Sequence, residues 1–308
     1  MLQKQTGCCH FPPGRSAGGA VSWAGCLTLR EDGIVGSSES LQAALRKYRS
    51  LNRLFWLGLL GIVLFPVAAV IVAAVVYQIT KNSNLSSPIG LSAPLWSVAG
   101  VAIALLVRGA RKQARRGVDL ARIAEEEHYE FALQAAQPVL ELLSSISFMQ
   151  NPTSAKGRNV LSSVDGTVRH FALDYFYAYD YGAVSFEADE SLVVFPDLVP
   201  DLPDLCVLPM GVADRLLSQV FGAFQQVKLA AAPEFTKRFH VGSADPAAAQ
   251  RMITVPLRQT LHRNPELSLV IEDGTLIVFS QLQLIPAPSY VEFLTAAKEL
   301  ALAVRAVR

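Results

Sequence analysis

The chain has 308 residues, of which 51% are hydrophobic and 17% charged, and its formal net charge at pH 7 is +1. It is more apolar than an ordinary globular domain, and its net charge of +1 gives no general reason to expect a nucleic-acid partner. The four cysteines, Cys8, Cys9, Cys26 and Cys206, follow neither a disulfide framework nor a zinc-binding spacing. We therefore predict no metal, no cofactor and no nucleic-acid partner.

The first 36 residues are rich in Gly, Pro and Ser and follow neither the helical nor the strand period. Such a composition is typical of a disordered leader. Residues 37–53 are predicted to form a cytosolic helix next to a membrane.

Two long apolar segments come next. The segment LFWLGLLGIVLFPVAAVIVAAVVYQIT covers residues 54–80 without a charged side chain, and IGLSAPLWSVAGVAIALLV covers residues 89–107. Each is long enough to cross a bilayer core about 30 Å thick. We therefore predict a two-helix transmembrane hairpin in which residues 81–88 form the external loop.

The charges around these segments predict the orientation of the hairpin. Lys81 is the only basic side chain of the connector, whereas nine basic side chains flank the two outer ends. The positive-inside rule then predicts a bacterial inner-membrane protein with two spans and both termini in the cytoplasm. The nine are Arg46, Lys47, Arg49, Arg53, Arg108, Arg111, Lys112, Arg115 and Arg116.

Residues 108–150 are predicted to form a basic collar that continues as a helical neck. Near an anionic leaflet each cation of the collar contributes about 1 kcal/mol of attraction. The collar is therefore a candidate site for acidic lipid, and the alternative is a topology signal without recognition. Its members are Arg108, Arg111, Lys112, Arg115 and Arg116.

Residues 151–308 are predicted to form a cytosolic α+β domain, mainly an antiparallel sheet with packed helices. In HFALDYFYAYDY, residues 170–181, apolar and aromatic side chains alternate with polar ones, which indicates a strand. One face of this strand carries the tyrosines, which either bind a partner or pack against a helix. They are Tyr175, Tyr177, Tyr179 and Tyr181.

Three further elements have clear local signals. Asp245 followed by Pro246 predicts the N-cap and first residue of a helix, since the carboxylate accepts from the free first-turn amides. LSLVIEDGTLIVFS predicts a hairpin that turns at Asp273 and Gly274. SYVEFLTAAKELALAVRAVR predicts an amphipathic C-terminal helix.

Taken in order, these segments resemble an uncharacterised family of bacterial two-span membrane proteins with a C-terminal cytosolic domain of unknown function. The resemblance covers roughly residues 45–285 and implies no catalytic residues. The positions that carry it are Asp174, Tyr175, Glu234, Phe235, Arg238, Phe239, Val241, Asp245 and Pro256.

We predict a membrane-tethered binding or scaffolding module whose partner is a protein, a second copy of the chain, or anionic lipid. The alternative is a membrane-anchored hydrolase that uses His170, Asp174 and His240. Against it, no catalytic motif occurs, and His170 and Asp174 lie about 13 Å apart along a strand. His240 is predicted to face solvent beside Arg238.

Overall fold

The computed structural model describes residues 37–80, 83–146, 152–165, 168–180, 185–198, 202–211, 225–280 and 283–307. All of them belong to one unit, Val35–Arg308. The predicted disordered leader lies outside the described residues.

Two helices of 44 residues each, α1 (Ser37–Thr80) and α2 (Ser83–Glu126), pack along one another. Among the residues that the structure describes, no helix is both long enough and apolar enough to cross a membrane. The prediction of a transmembrane hairpin is therefore wrong, and so is the two-span inner-membrane localisation that depended on it.

A single nine-stranded sheet forms the rest of the architecture, in the order β1-β2-β3-β4-β9-β8-β5-β7-β6. Every neighbouring pair is antiparallel, as the sequence predicts. The strands are β1 (Glu130–Gln134), β2 (Ser154–Asp165), β3 (Val168–Asp180), β4 (Ser185–Phe195), β5 (Leu205–Pro209), β6 (Gln225–Gln226), β7 (Phe239–Ser243), β8 (Leu267–Glu272) and β9 (Thr275–Ser280).

Shorter helices join or cover the strands. The Asp245 carboxylate accepts from the amides of Ala247 and Ala248, both at 3.0 Å, which confirms the predicted N-cap. Asp273 and Gly274 both have positive φ at the β8–β9 turn, as a two-residue hairpin requires. The helices are α3 (Gln137–Ser145), α4 (Pro233–Arg238), α5 (Pro246–Met252), α6 (Val255–Arg263), a 3₁₀ turn (Ala287–Ser289) and α7 (Tyr290–Arg305).

The core lies on both faces of the sheet, because successive residues of a strand point to opposite faces. On one face Val193 and Phe195 of β4 pack with Leu120 of α2 and Leu300 of α7. On the other face Phe171, Leu173, Tyr175 and Tyr177 of β3 pack with Leu143 of α3. The sheet is therefore the middle layer for the helices that cover it.

The predicted helical neck, residues 108–150, is interrupted by a strand. Helix α2 ends at Glu126, and β1 pairs with β2 from Glu130 to Gln134. Helix-forming residues dominate this segment, but pairing with β2 and burial of Phe131 override their weak intrinsic preference. The neck segment thus contributes strand β1 to the same sheet.

Candidate functional site

A cavity of about 240 Å³ lies where the α1–α2 hairpin meets the strands β1, β2 and β3. Six of the fourteen residues that line it are alanine or leucine. The polar side chains that line it include Lys47 of α1, Gln113 and Arg116 of α2, Arg158 and Asn159 of β2, and Asp174 of β3.

The charged pair of this cavity is Arg116 and Asp174. Arg116 donates from Nε to Asp174 Oδ2 and from Nη2 to Asp174 Oδ1, each at 2.7 Å. The two side chains are 13% and 2% exposed. This bidentate arrangement fixes the planes of both groups and supplies charge-assisted hydrogen bonds.

Neighbouring groups satisfy the remaining hydrogen-bonding capacity of the pair. Asn159 Nδ2 donates to Asp174 Oδ2 at 2.8 Å, and Ser191 Oγ donates to Asp174 Oδ1 at 3.3 Å. Arg116 Nη1 donates to the carbonyl of Ile285 at 2.6 Å. Because both charges are paired and hydrogen-bonded, their burial is tolerated.

Burial and pairing act on Arg116 in opposite directions. Burial by itself lowers the pKa of the guanidinium, but the hydrogen bonds and the charge of Asp174 outweigh it and raise the pKa above its ordinary value. Arg116 is therefore a permanent cation at the cavity.

A distortion of strand β2 brings Asn159 to the pair. The register of β2 against β3 shifts between Arg158 and Leu161, and Asn159 has a φ of 52° in the left-handed region. Asparagine tolerates this region better than most residues, and a bulge re-aims the side chain at its centre. A Cβ on Gly117 of α2 would lie 3.0 Å from Asn159 Oδ1, so the lack of a side chain there leaves room for the amide.

Arg158 differs from Arg116 because part of its guanidinium has no partner. Its Nη2 lies 2.6 Å from Asp189 Oδ1, and its Cζ stacks 5.9 Å from the Phe176 ring. Its Nε is buried and has no hydrogen-bond acceptor among the described residues. A buried donor without an acceptor costs free energy, so Arg158 is held less completely than Arg116.

The structure divides the predicted lipid collar. Arg116 turns inward to Asp174, and Arg111 lies against the Phe55 ring with its Cζ 4.8 Å from the centroid. Arg108, Lys112 and Arg115 are exposed. Lipid binding by the collar stays a prediction, and the pairing of Arg116 with Asp174 removes one of its five cations from the exposed surface.

The predicted tyrosine surface lies largely inside the fold. Tyr175 and Tyr177 are buried, Tyr179 is half-buried, and Tyr181 lies outside the described residues. Tyr177 donates to Glu190 Oε1 at 2.6 Å, and burial raises the pKa of Tyr175 to about 12. The rings of Tyr175 and Tyr177 pack in the core, and a partner surface on this strand stays a prediction.

The three residues of the hydrolase alternative do not meet. His170 is buried and stacks on Phe195, with its Nε2 3.2 Å from the Tyr129 hydroxyl. His240 is buried in β7, contrary to the predicted solvent-facing position, because β7 is covered on both faces. Four strands separate β7 from β3, which corresponds to about 24 Å along the sheet. Within the described residues, no three His, Cys, Asp or Glu side chains form a group that could hold a metal ion.

Sequence reasoning missed Asn159, Ser191 and the role of Arg158. The helical period of α2 offered one signal. Arg116 lies four residues before Leu120 and eight before Ala124, so it lies on the same face of the helix as these two buried residues. That phase predicts an inward-facing Arg116, in need of a buried carboxylate such as Asp174. The β2 bulge that supplies Asn159 has no comparable signal in the sequence.

Comparison with known proteins finds little that is similar. No protein-family model matches the chain, and no curated protein matches it. A solved structure, the crystal structure of the mycobacterial trehalose monomycolate transport factor A, TtfA, aligns with a TM-score of 0.44 at 12% sequence identity. The alignment covers 61% of this chain and 94% of that chain. The family resemblance seen in the sequence stays a prediction.

Proposed function

We propose that this chain is a binding module and that its ligand is an anion held in the cavity between the α1–α2 hairpin and strands β1–β3. The observation that carries the proposal is the charge of the lining, in which three cations, Lys47, Arg116 and Arg158, stand against the one carboxylate of Asp174. A phosphate or carboxylate oxygen is the acceptor that a guanidinium binds best.

The charges of the cavity favour an anion. Arg116 is paired with Asp174 and Arg158 with Asp189, so the net positive charge at the cavity is that of Lys47. Lys47 is exposed and has no ion pair in the part of the chain that the structure describes. A net positive wall with aliphatic surroundings suits a small anion that carries an apolar part.

The same wall favours binding over catalysis. None of the residues that line the cavity is Ser, Thr, Cys, His or Tyr, so its possible nucleophiles are the amine of Lys47 and the carboxylate of Asp174. Its carboxylate, Asp174, is fully engaged by Arg116, Asn159 and Ser191. A general base has to be within reach of a substrate proton, and here both oxygens are occupied.

Calorimetry on the full chain tests the proposal with inorganic phosphate and glycerol 3-phosphate as free anions. Sedimentation with phosphatidylglycerol vesicles, against phosphatidylcholine vesicles, tests the acidic lipid headgroup as the other source of the same chemistry. Lys47→Gln and Arg158→Gln should each weaken binding about tenfold, since each removes a charge-assisted hydrogen bond. Arg158→Lys keeps the charge and should lose less.

Two controls make the experiment specific to the cavity. Lys112→Gln removes an exposed cation of α2 outside the cavity and should leave binding unchanged. Ala110→Leu places a larger side chain in the cavity wall and should abolish binding. Equal losses in Lys112→Gln and Lys47→Gln would reduce the effect to general charge attraction and refute the site, as would the absence of binding to every anion.

A further inference from the structure

Helix α1 carries a regular stripe of exposed apolar side chains. Their spacings along the chain are three, four, three and four residues, and each side chain is between 51% and 62% exposed. The stripe, which we call the α1 seam, consists of Leu57, Leu60, Leu64, Val67 and Ile71.

Such exposure is unusual for side chains of this size. Folded proteins rarely expose contiguous apolar patches beyond a few hundred Å², and larger ones mark interaction sites. The seam is broadened by Trp56, Val70 and Val75, which are also exposed. At 3.6 residues per turn these eight side chains fall within about 140° of the helix circumference, so they form one face.

The spacing indicates what covers this face. Alternating steps of three and four residues repeat every 3.5 residues on average, the period by which two helices pack along each other with interlocking side chains. A flat or irregular partner does not require this period. The occupant that fits the α1 seam is therefore a helix.

We propose that the occupant is α1 of a second copy of this chain. Helix α2 already packs on α1, and the other described helices belong to the layers on the sheet. A twofold pairing places the same patch of both copies together. No charged side chain lies between residues 54 and 80, so self-pairing brings no like charges into contact along the seam.

The area is sufficient for a stable pair. At roughly 70 Å² for each half-exposed large side chain, the eight residues offer roughly 560 Å² on each copy. The pair then removes roughly 1,100 Å² from solvent, above the roughly 1,000 Å² expected of a specific interface.

Light scattering after size-exclusion chromatography of the full chain tests the pairing. The wild-type chain should elute with the mass of two copies. Leu64→Glu should weaken association at least a hundredfold, because it places two carboxylates at the centre of the seam. Leu106→Glu is the matched control, since Leu106 is 76% exposed on α2 but lies outside the seam.

A charge-rescue mixture identifies the partner. Residue 64 is the midpoint of the seam, so it lies near its own counterpart in parallel and antiparallel pairs alike. A mixture of the Leu64→Glu and Leu64→Lys chains should therefore restore the two-copy mass, although each chain alone remains single, and circular dichroism should show both folded.

Three results would refute the proposal. One is a single-copy mass for the wild-type chain at about 100 µM. Another is undiminished association of Leu64→Glu, or a mixture that fails to pair. The third is a wild-type chain that binds neutral phosphatidylcholine vesicles through this face without pairing in solution, which would make lipid the occupant.

Discussion

Arg116 of α2 and Asp174 of β3 lie 58 residues apart in the chain and share two hydrogen bonds of 2.7 Å in a nearly closed interior. This pair ties the helical hairpin to the sheet. It also faces the cavity, so the same contact that joins the layers forms a part of the candidate site.

Removing either partner should be much more damaging than removing both. Asp174→Leu or Arg116→Met leaves a buried charge unpaired and should lower the free energy of unfolding by about 3–5 kcal/mol. The double variant should lose less than either single variant, because no charge remains. Urea denaturation of the four proteins measures the coupling.

Arg115→Met provides the control for that cycle. Arg115 is exposed on the same helix, and its loss should change the unfolding free energy by no more than about 0.5 kcal/mol. Additive effects of Arg116→Met and Asp174→Leu would mean that the pair does not couple.

Two glycines of α2 should respond oppositely to alanine. Gly109→Ala meets nothing within 4 Å and should stabilise the chain by up to about 1 kcal/mol through helix propensity. Gly117→Ala places a Cβ 3.0 Å from Asn159 Oδ1. It should therefore displace the Asn159 amide from Asp174, and the loss of that hydrogen bond should cancel the stabilisation from helix propensity. Thermal melts compare them, and equal stabilisation by both would show that Asn159 has room to move.

The cap of α5 should depend on the oxygen of residue 245 and not on its charge. Asp245→Ala removes the acceptor for two amides and should cost about 1 kcal/mol, whereas Asp245→Asn and Asp245→Ser should be nearly neutral. Chemical denaturation of the three variants is the measurement. Losses as large for Asn and Ser as for Ala would assign Asp245 a role beyond capping.

His170 should make the fold sensitive to mild acid. Burial, reinforced by the nearby charge of Lys298, lowers its pKa from 6.5 to about 4. The unfolded chain therefore binds this proton at a higher pH than the folded chain does, and stability falls as the pH drops from 7 towards 4. Between pH 7 and pH 5 the loss should be about 2 kcal/mol.

The variant His170→Gln isolates this contribution. Glutamine keeps a polar partner for Tyr129 but does not titrate, so the urea midpoint of the variant should decline less between pH 7 and pH 5 than that of the wild-type chain. Identical declines would assign the acid sensitivity to other groups.

Local signals in the sequence predicted the elements that are stabilised locally. The Asp245 cap, the turn at Asp273 and Gly274 and the alternation of β3 each depend on neighbours a few residues away. Strand β1 and the burial of His240 were missed, because both depend on strands distant in the chain. The hairpin of helices was predicted, but its apolar residues were wrongly interpreted as two membrane spans.

The candidate site could not be predicted from the sequence, because it too depends on contacts between residues distant in the chain. Asp174 and the basic stretch of α2 are visible in the sequence, but a sequence of charges does not say which cation turns inward. Asn159 reaches the pair through a bulge whose position depends on the register between β2 and β3. Such a register is a property of the assembled sheet.

The place of the β8–β9 hairpin in the sheet governs when the protein can finish folding. Strands β4 and β5 follow each other in the chain, but β9 and β8 lie between them in the sheet. At about 5–20 residues per second, the ribosome needs roughly 4 to 17 s to add the stretch from Phe195 to Ser280. During that interval one ribbon of β1–β4 and another of β5–β7 each present an open apolar edge, a template for aggregation. A chain that stops at Asn264 should therefore aggregate and sediment under conditions in which the complete chain stays in solution. If the short chain also stays in solution, the two groups of strands protect their edges without the β8–β9 hairpin.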